Sequence, residues 1–379
     1  MAAPPEADST FVFTDVINIP VTSVKDQNKS GTCWCFAGTS YFENEIVRLG
    51  GDSLDISEMY AVRKCYEDKA ERFVRLYGNT NFTPGGAVTD VSYVWKRYGA
   101  VPETVYNGLH YGEDKHVHGE LQAALSGYLR TVVDKPNKRL STAWREVVKG
   151  ILDAYLGEVP ETFEYNGKTY TPRSYADAQP IKPADYVPLS SFTHHPYYVS
   201  FPFEVPDNWT WDRYYNLPLD EFKAVIDNAL EKGCTVMWAA DISEPGFKWY
   251  DGVALMPKAK SERDLEGPEL ARWVKLSSKE RENEKYDFSG PVEEIDVTVE
   301  LRQEMFDRQE TTDDHAMEIV GTATDQNGNH YYKVKNSWND EQKYHGFFYV
   351  SDAYVLAKTL SILVHREAIP RATAKKLGI

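Results

Sequence analysis

The sequence predicts an α+β protein of two lobes, a helical first half and a sheet-rich second half, with a cleft between them. Three observations lead there. The chain has 379 residues, which at roughly 150 residues per domain means two domains or one large domain with insertions. Near the N-terminus Cys35, Thr39, Phe42, Ile46 and Leu49 recur at steps of four and three, the period of a helix with one stripe turned to a core. Near the C-terminus Ala316 to Ala323 and His330 to Val334 flank Asn327-Gly328, the pattern of a β-hairpin. With 42% apolar and 13% aromatic residues, the chain has core material throughout and is not a disordered one.

Taken in order, residues 1–17 read as an irregular N-terminal arm. The first helix is expected over about Thr32 to Leu49, stopped by Gly50-Gly51. Residues 53–160 read as mostly helical, with a break at Gly99 to Glu103. Residues 161–217 are rich in Pro and aromatics, which favours ordered loop and short strand. A helix from Leu219 to Lys232 passes through Gly233 into a β-like run, Cys234 to Ala240, and strand signals dominate from there. The organisation expected is a helical lobe over 18–230 with an insertion at about 107–217, a β-rich lobe over 231–367, and a C-terminal arm over 368–379.

Charge narrows the function classes. Lys and Arg total 42 against 58 Asp and Glu, a net charge of −16, which repels nucleic acid and anionic lipid. Thirteen acids and four bases between 280 and 314 place −9 of that total just before His315; a solvated face is the simplest reading. No apolar run approaches the roughly 18 residues of a membrane span. The first residues lack a basic start and a hydrophobic centre, so the chain as it stands reads as cytoplasmic, or as periplasmic or secreted if a signal peptide was removed before Met1. Four cysteines are too few for a disulfide scaffold in this length, which turns attention to a nucleophile.

Cys35 belongs to the apolar stripe, and Cys33, two residues of about 100° away, faces roughly opposite. Cys33 also sits in the first helical turn, where free N–H groups favour a thiolate. Gln27, six residues upstream, offers an amide donor for an oxyanion. His315 is the candidate base, and Asn336 ends the returning strand. Reflection about Asn327-Gly328 pairs Asn336 with Ile319, so a wider loop or a bulge is needed to bring Asn336 to His315. An amide beside an imidazole fixes its tautomer, the third role in Cys/His nucleophilic catalysis.

Gln27-x5-Cys33-Trp34, with Asp314-His315-Ala316 and Asn336-Ser337-Trp338 far downstream, resembles the papain-like cysteine peptidases. Gly85-Gly86, Gly99-x-Val101-Pro102-Glu103 and Thr312 to Met317 resemble the bleomycin hydrolase and aminopeptidase C branch. The resemblance runs from about residue 18 to the C-terminus and implies a papain-like two-lobe fold, a helical left lobe and a β-barrel-like right lobe, with a helical insertion. It implies Cys33 as nucleophile, His315 as its acid–base partner, Asn336 as orienter, Gln27 in the oxyanion hole, Trp338 as a shield, and Gly85-Gly86 as the edge that pairs with substrate. It implies peptide substrates, a homo-oligomer (a hexamer in this branch), and no metal or organic cofactor. In this branch the C-terminal arm lies in the cleft and its carboxylate captures the substrate α-amino group. Here the arm is basic, and Lys375 and Lys376 would repel that group unless they turn away.

Aminopeptidase action on short peptides is the first reading. The alternatives are an endopeptidase with an open cleft and a catalytically silent peptide-binding or assembly protein. Cys35 is read as a buried thiol, and Cys33-x-Cys35 lacks a second ligand pair for zinc. His194-His195 is read as structural, because adjacent side chains on a strand diverge. His110, His116 and His118 read as a solvated loop.

Overall fold

The structure, a computed structural model, describes residues 10–134, 138–260 and 265–379; most of the N-terminal arm therefore lies outside the described residues. The chain runs β1 (Thr14–Asn18), α1 (Cys33–Arg48), α2 (Glu58–Arg75), α3 (Asp90–Tyr98), α4 (Gly119–Val133) and α5 (Trp144–Leu156). The hairpin β2 (Phe163–Tyr165) and β3 (Lys168–Tyr170) leads to α6 (Pro172–Asp177), then β4 (Tyr186–Ser190), β5 (Ser200–Pro202), β6 (Arg213–Asn216) and α7 (Leu219–Glu231). The second half contains β7 (Val236–Ala240), β8 (Phe247–Lys248), β9 (Val253–Ala254), α8 (Gly267–Trp273), α9 (Ser278–Glu284) and α10 (Val299–Asp307). It closes with β10 (His315–Thr324), β11 (His330–Lys335), β12 (Phe347–Ser351), α11 (Asp352–Lys358), β13 (Thr359–His365) and α12 (Arg371–Leu377).

The α+β class is as expected. One sheet runs in the order β5-β6-β4-β13-β7-β10-β11-β12-β9-β8, with β1 paired to the far end of β10. β10 is the hub: His315 to Ile319 pair with β7, and Gly321 to Thr324 pair with β1, where only glycine fits at 321 because a Cβ would lie 2.1 Å from the Ile17 carbonyl oxygen. β10 and β11 form the expected hairpin, and their register shifts between Ile319 and Gly321. Both the wider loop and the bulge that the sequence left open are present, the loop running between Thr324 and His330.

α1 departs from the one-stripe expectation, since every residue from Trp34 to Ile46 is buried. The reason is its position: α2 and α3 cover one side and β7 and β10 the other. Its polar residues face a hydrogen-bonded layer rather than water. Ser40 Oγ and Asn44 Nδ2 donate to Glu318 of β10 at 2.5 and 2.7 Å, and Lys335 Nζ donates to Ser40 Oγ at 2.8 Å. Lys25, on the approach to the helix, reaches Glu43, Asp55 and Glu58. This layer joins the helical half to the sheet directly behind the cleft.

Two local expectations fail. His118 is 1% exposed, not solvated, because it precedes α4 and is drawn under the loop that bridges Lys29 to Val117. His194 and His195 do not diverge; they lie in a bend rather than a strand, and both Nε2 atoms approach Glu204, at 3.4 and 2.6 Å.

Candidate active site

Cys33 is the first residue of α1, and Cys35 is fully buried with its thiol donating to the Glu58 carbonyl oxygen at 3.2 Å. The turn before α1 is held by Ser30 and Thr32, whose hydroxyls lie 2.7 Å apart. Further back, Asp26 bridges Trp338, and the Gln27 N–H donates to the Ser337 carbonyl oxygen at 2.8 Å. The Ser337 hydroxyl donates to Gln27 Oε1 at 2.7 Å, which fixes the amide and leaves its N–H₂ as the free donor face. The two ends of the chain are thus stitched together at the site itself.

His315 opens β10 and is 5% exposed. Its Nε2 lies 2.8 Å from Asn336 Oδ1, which also accepts from the Ser337 N–H. With Oδ1 as acceptor, Nε2 carries the hydrogen and Nδ1 is left bare. The Trp338 ring packs on the imidazole with centroids 4.8 Å apart. Cys33, His315, Gly85 and Gly86 then line one cavity of about 50 Å³ with Ala316, Tyr214, Phe203, Val205, Asp207 and Asp313 among its other walls.

Burial dominates the electrostatics. It pushes the Cys33 thiol up to about 12, helped by the carboxylates of Asp207 and Asp313 and opposed by backbone hydrogen bonds from Ala316 and Trp34. It pushes His315 down to about 4 against the hydrogen bond to Asn336. The same desolvation raises Asp313 to about 7, with Asp207 reinforcing it. Desolvation thus opposes charge on both the thiol and the imidazole.

The structure thus brings Cys33, His315, Gly85 and Gly86 to one cavity, with Asn336 and Trp338 on His315 and Gln27 on Ser337. It does not bring the C-terminal arm there. α12 packs its Leu377 into the core beside α7, and Thr373 and Lys376 bind Glu221 at 2.7 and 2.5 Å. No residue of 368–379 lines the cavity. Lys376 of the basic arm has its acidic partner on α7, away from the cavity. Sequence reasoning missed Asp207, Phe203 and Val205; the only signal was the Pro- and aromatic-rich run that contains them.

The His194, His195 and Glu204 trio has the composition of a cation site. Gln303 argues for another role. Its Oε1 accepts from the Thr193 N–H and its Nε2 donates to Asp307 and toward His194 Nδ1. Neutral His194 therefore holds its hydrogen on Nε2, the atom a metal would need bare, and directs it at Glu204. The trio is a clamp on the segment between β4 and β6.

Comparison with known proteins agrees with the fold. A Peptidase C1-like family profile matches residues 281–378. Aminopeptidase C of Streptococcus thermophilus is 24% identical over 98% of this chain and 86% of the relative, and aminopeptidase C of Listeria innocua is 23% identical over 92% and 81%. The crystal structure of PepW from Lactobacillus rhamnosis HN001 superposes with a TM-score of 0.71 at 20% identity, covering 96% of this chain and 84% of that one. The chain thus has the fold of PepW and is similar over nearly its whole length to the aminopeptidases C, matches that support a papain-like cysteine-type peptidase.

Proposed function

We propose that this cysteine-type peptidase is an aminopeptidase that cleaves through a Cys33–His315–Asn336 triad and an acyl-enzyme. The observation that carries the reading is the shared cavity of Cys33 and His315, with Nε2 of the imidazole committed to Asn336. His315 Nδ1 takes the Cys33 proton as sulfur attacks the scissile carbonyl carbon. The oxyanion is held by the Cys33 backbone N–H, free because it begins α1, and by Gln27 Nε2. Imidazolium His315 then protonates the leaving amine as the C–N bond breaks. Water, deprotonated by His315, attacks the thioester, and the carboxylate leaves with Cys33 regenerated. Trp338 keeps water from the His315–Asn336 bond.

Cys33→Ser and alkylation by iodoacetamide are each expected to abolish hydrolysis of aminoacyl coumarin amides, whereas Cys35→Ser keeps activity and lowers Tm. Persistent turnover by Cys33→Ser protein would remove the mechanism. Assembly into a hexamer belongs to the same reading, and light scattering checks it: a particle six times the chain mass supports it, and a monomer refutes it.

A further inference from the structure

The aminopeptidase reading leaves a gap: with α12 docked on α7, no C-terminal carboxylate reaches the cavity to hold a substrate α-ammonium. The segment between β5 and β6 supplies a different candidate. Asp207 lies flat on Gly85, so that a Cβ built there would fall 2.0 Å from Asp207 Oδ2. Gly85-Gly86 is the backbone edge along which an extended peptide would continue past Cys33. Asp207, with Phe203 and Val205 beside it in the same wall, occupies that path. An endopeptidase substrate has nowhere to put its preceding residues, while a single N-terminal residue needs none.

The same group has the charge the task requires. Asp207 Oδ1 accepts from Asn81 Nδ2 at 3.0 Å and from Thr83 Oγ1 at 3.4 Å, which fixes the carboxylate. The Asp207 N–H donates to Asp313 Oδ2 at 3.2 Å, placing a second carboxylate next to the first. Among the described residues, neither Asp207 nor Asp313 has a cation within ion-pair distance, unlike Glu43, Glu58 and Glu221. Directly behind Gly86 lies Asp90, fully buried, with its Oδ1 unpartnered. Lys69 Nζ, held on the Gly85 and Thr83 carbonyl oxygens, partly offsets Asp207 and Asp90, and one cation against three carboxyl groups beside a nucleophile leaves room for a substrate ammonium.

We propose that Asp207, backed by Asp313, is the specificity-determining group of this peptidase: it binds the substrate α-ammonium and closes the Gly85-Gly86 edge, limiting hydrolysis to single N-terminal residues. The inference rests on the peptidase reading of Cys33. It also ties binding to chemistry, because Asp207 and Asp313 help keep the Cys33 thiol protonated, and an ammonium between them cancels that field.

The test uses the full chain with leucyl coumarin amide and its N-acetyl counterpart, and scores Cys33 alkylation by iodoacetamide separately by mass spectrometry. Asp207→Asn is expected to lower kcat/KM for the free amine roughly 10- to 100-fold, mainly through KM, and to erase the preference over the acetylated substrate; Asp207→Glu restores part of it. An unchanged preference in Asp207→Asn overturns the proposal while leaving the triad intact. A wild-type Cys33 that resists alkylation, in protein that hydrolyses neither substrate, instead overturns the peptidase reading. Should Asp207→Asn fail to fold, Asp313→Asn takes its place, since it leaves the Asn81 and Thr83 bonds to Asp207 in being; a full preference for the free amine in that variant counts against the proposal.

Discussion

Glu318→Ala removes the acceptor at the centre of the layer between α1 and the sheet. Glu318 is 1% exposed and accepts from Ser40 Oγ and Asn44 Nδ2, and Lys335, 5% exposed, faces it across the β10–β11 pair. Each hydrogen bond to a buried carboxylate contributes about 1.5–3 kcal/mol. Lys335 is also left with only the weaker attraction of Glu43 and Glu58, and breaking a buried charge pair costs about 3–5 kcal/mol. About 4 kcal/mol is therefore expected. For 379 residues the unfolding entropy is about 0.8 kcal/mol/K, so Tm falls by about 5 °C. The pH dependence carries the diagnosis. Burial lowers the Lys335 pKa below its ordinary value, and losing Glu318 lowers it further. A depressed lysine costs stability below its folded pKa and less as pH rises through it, so the deficit should narrow between pH 7 and 9. Glu318→Ala/Lys335→Met should recover part of the loss. Scanning calorimetry at both pH values is the assay; a fall under about 1 °C, or a deficit equal at pH 7 and 9, refutes the reasoning.

Other outcomes follow from single contacts. Asn336→Ala frees His315 Nε2 from its 2.8 Å partner and should lower kcat about 10- to 100-fold with little change in KM; steady-state kinetics equal to wild type would contradict the orienting role. Gly321→Ala drives a Cβ against the Ile17 carbonyl oxygen at 2.1 Å and should cost about 1–3 kcal/mol by urea unfolding. A wild-type midpoint would mean that β1 moves freely. Burial lowers His118 and His315 to about 4. Their contribution to stability is full above the ordinary histidine value of about 6.5 and is lost as pH falls through 4. His118 has both ring nitrogens unpartnered, so His118→Leu should be neutral or stabilising at pH 7 and should flatten the acid slope of Tm; a steeper slope would show that the ring has a use.

Local signals made much of the site legible. Cys33 was marked by its place opposite Cys35 and at a helix start, which depend only on helical period and on free N–H groups. His315 and Asn336 were linked by a turn whose two residues favour a hairpin, and counting called for a wider loop or a bulge, of which the structure has both. The α+β class followed from the change of period between halves. What period cannot show is what packs on what. α1 read as a helix with one buried stripe because Ser40, Asn44 and its two glutamates look solvated in one dimension, whereas Glu318, nearly three hundred residues away, accepts from Ser40 and Asn44, and Lys335 donates to Ser40. His194 and His195 read as diverging because a bend cannot be told from a strand in a run of aromatics. Whether the arm at 368–379 enters the cleft stayed open in the sequence, because the Glu221 partner of Lys376 comes from a distant helix. Asp207 carried no motif at all: its meaning comes from Gly85, brought beneath it by the fold. Sequence nominated the groups proposed to hold the chemistry, because those roles rest on side-chain type and local geometry. Tertiary structure alone decided which carboxylates surround the thiol and where a substrate must end, because burial and charge at one point are sums over segments that meet only when the chain is folded.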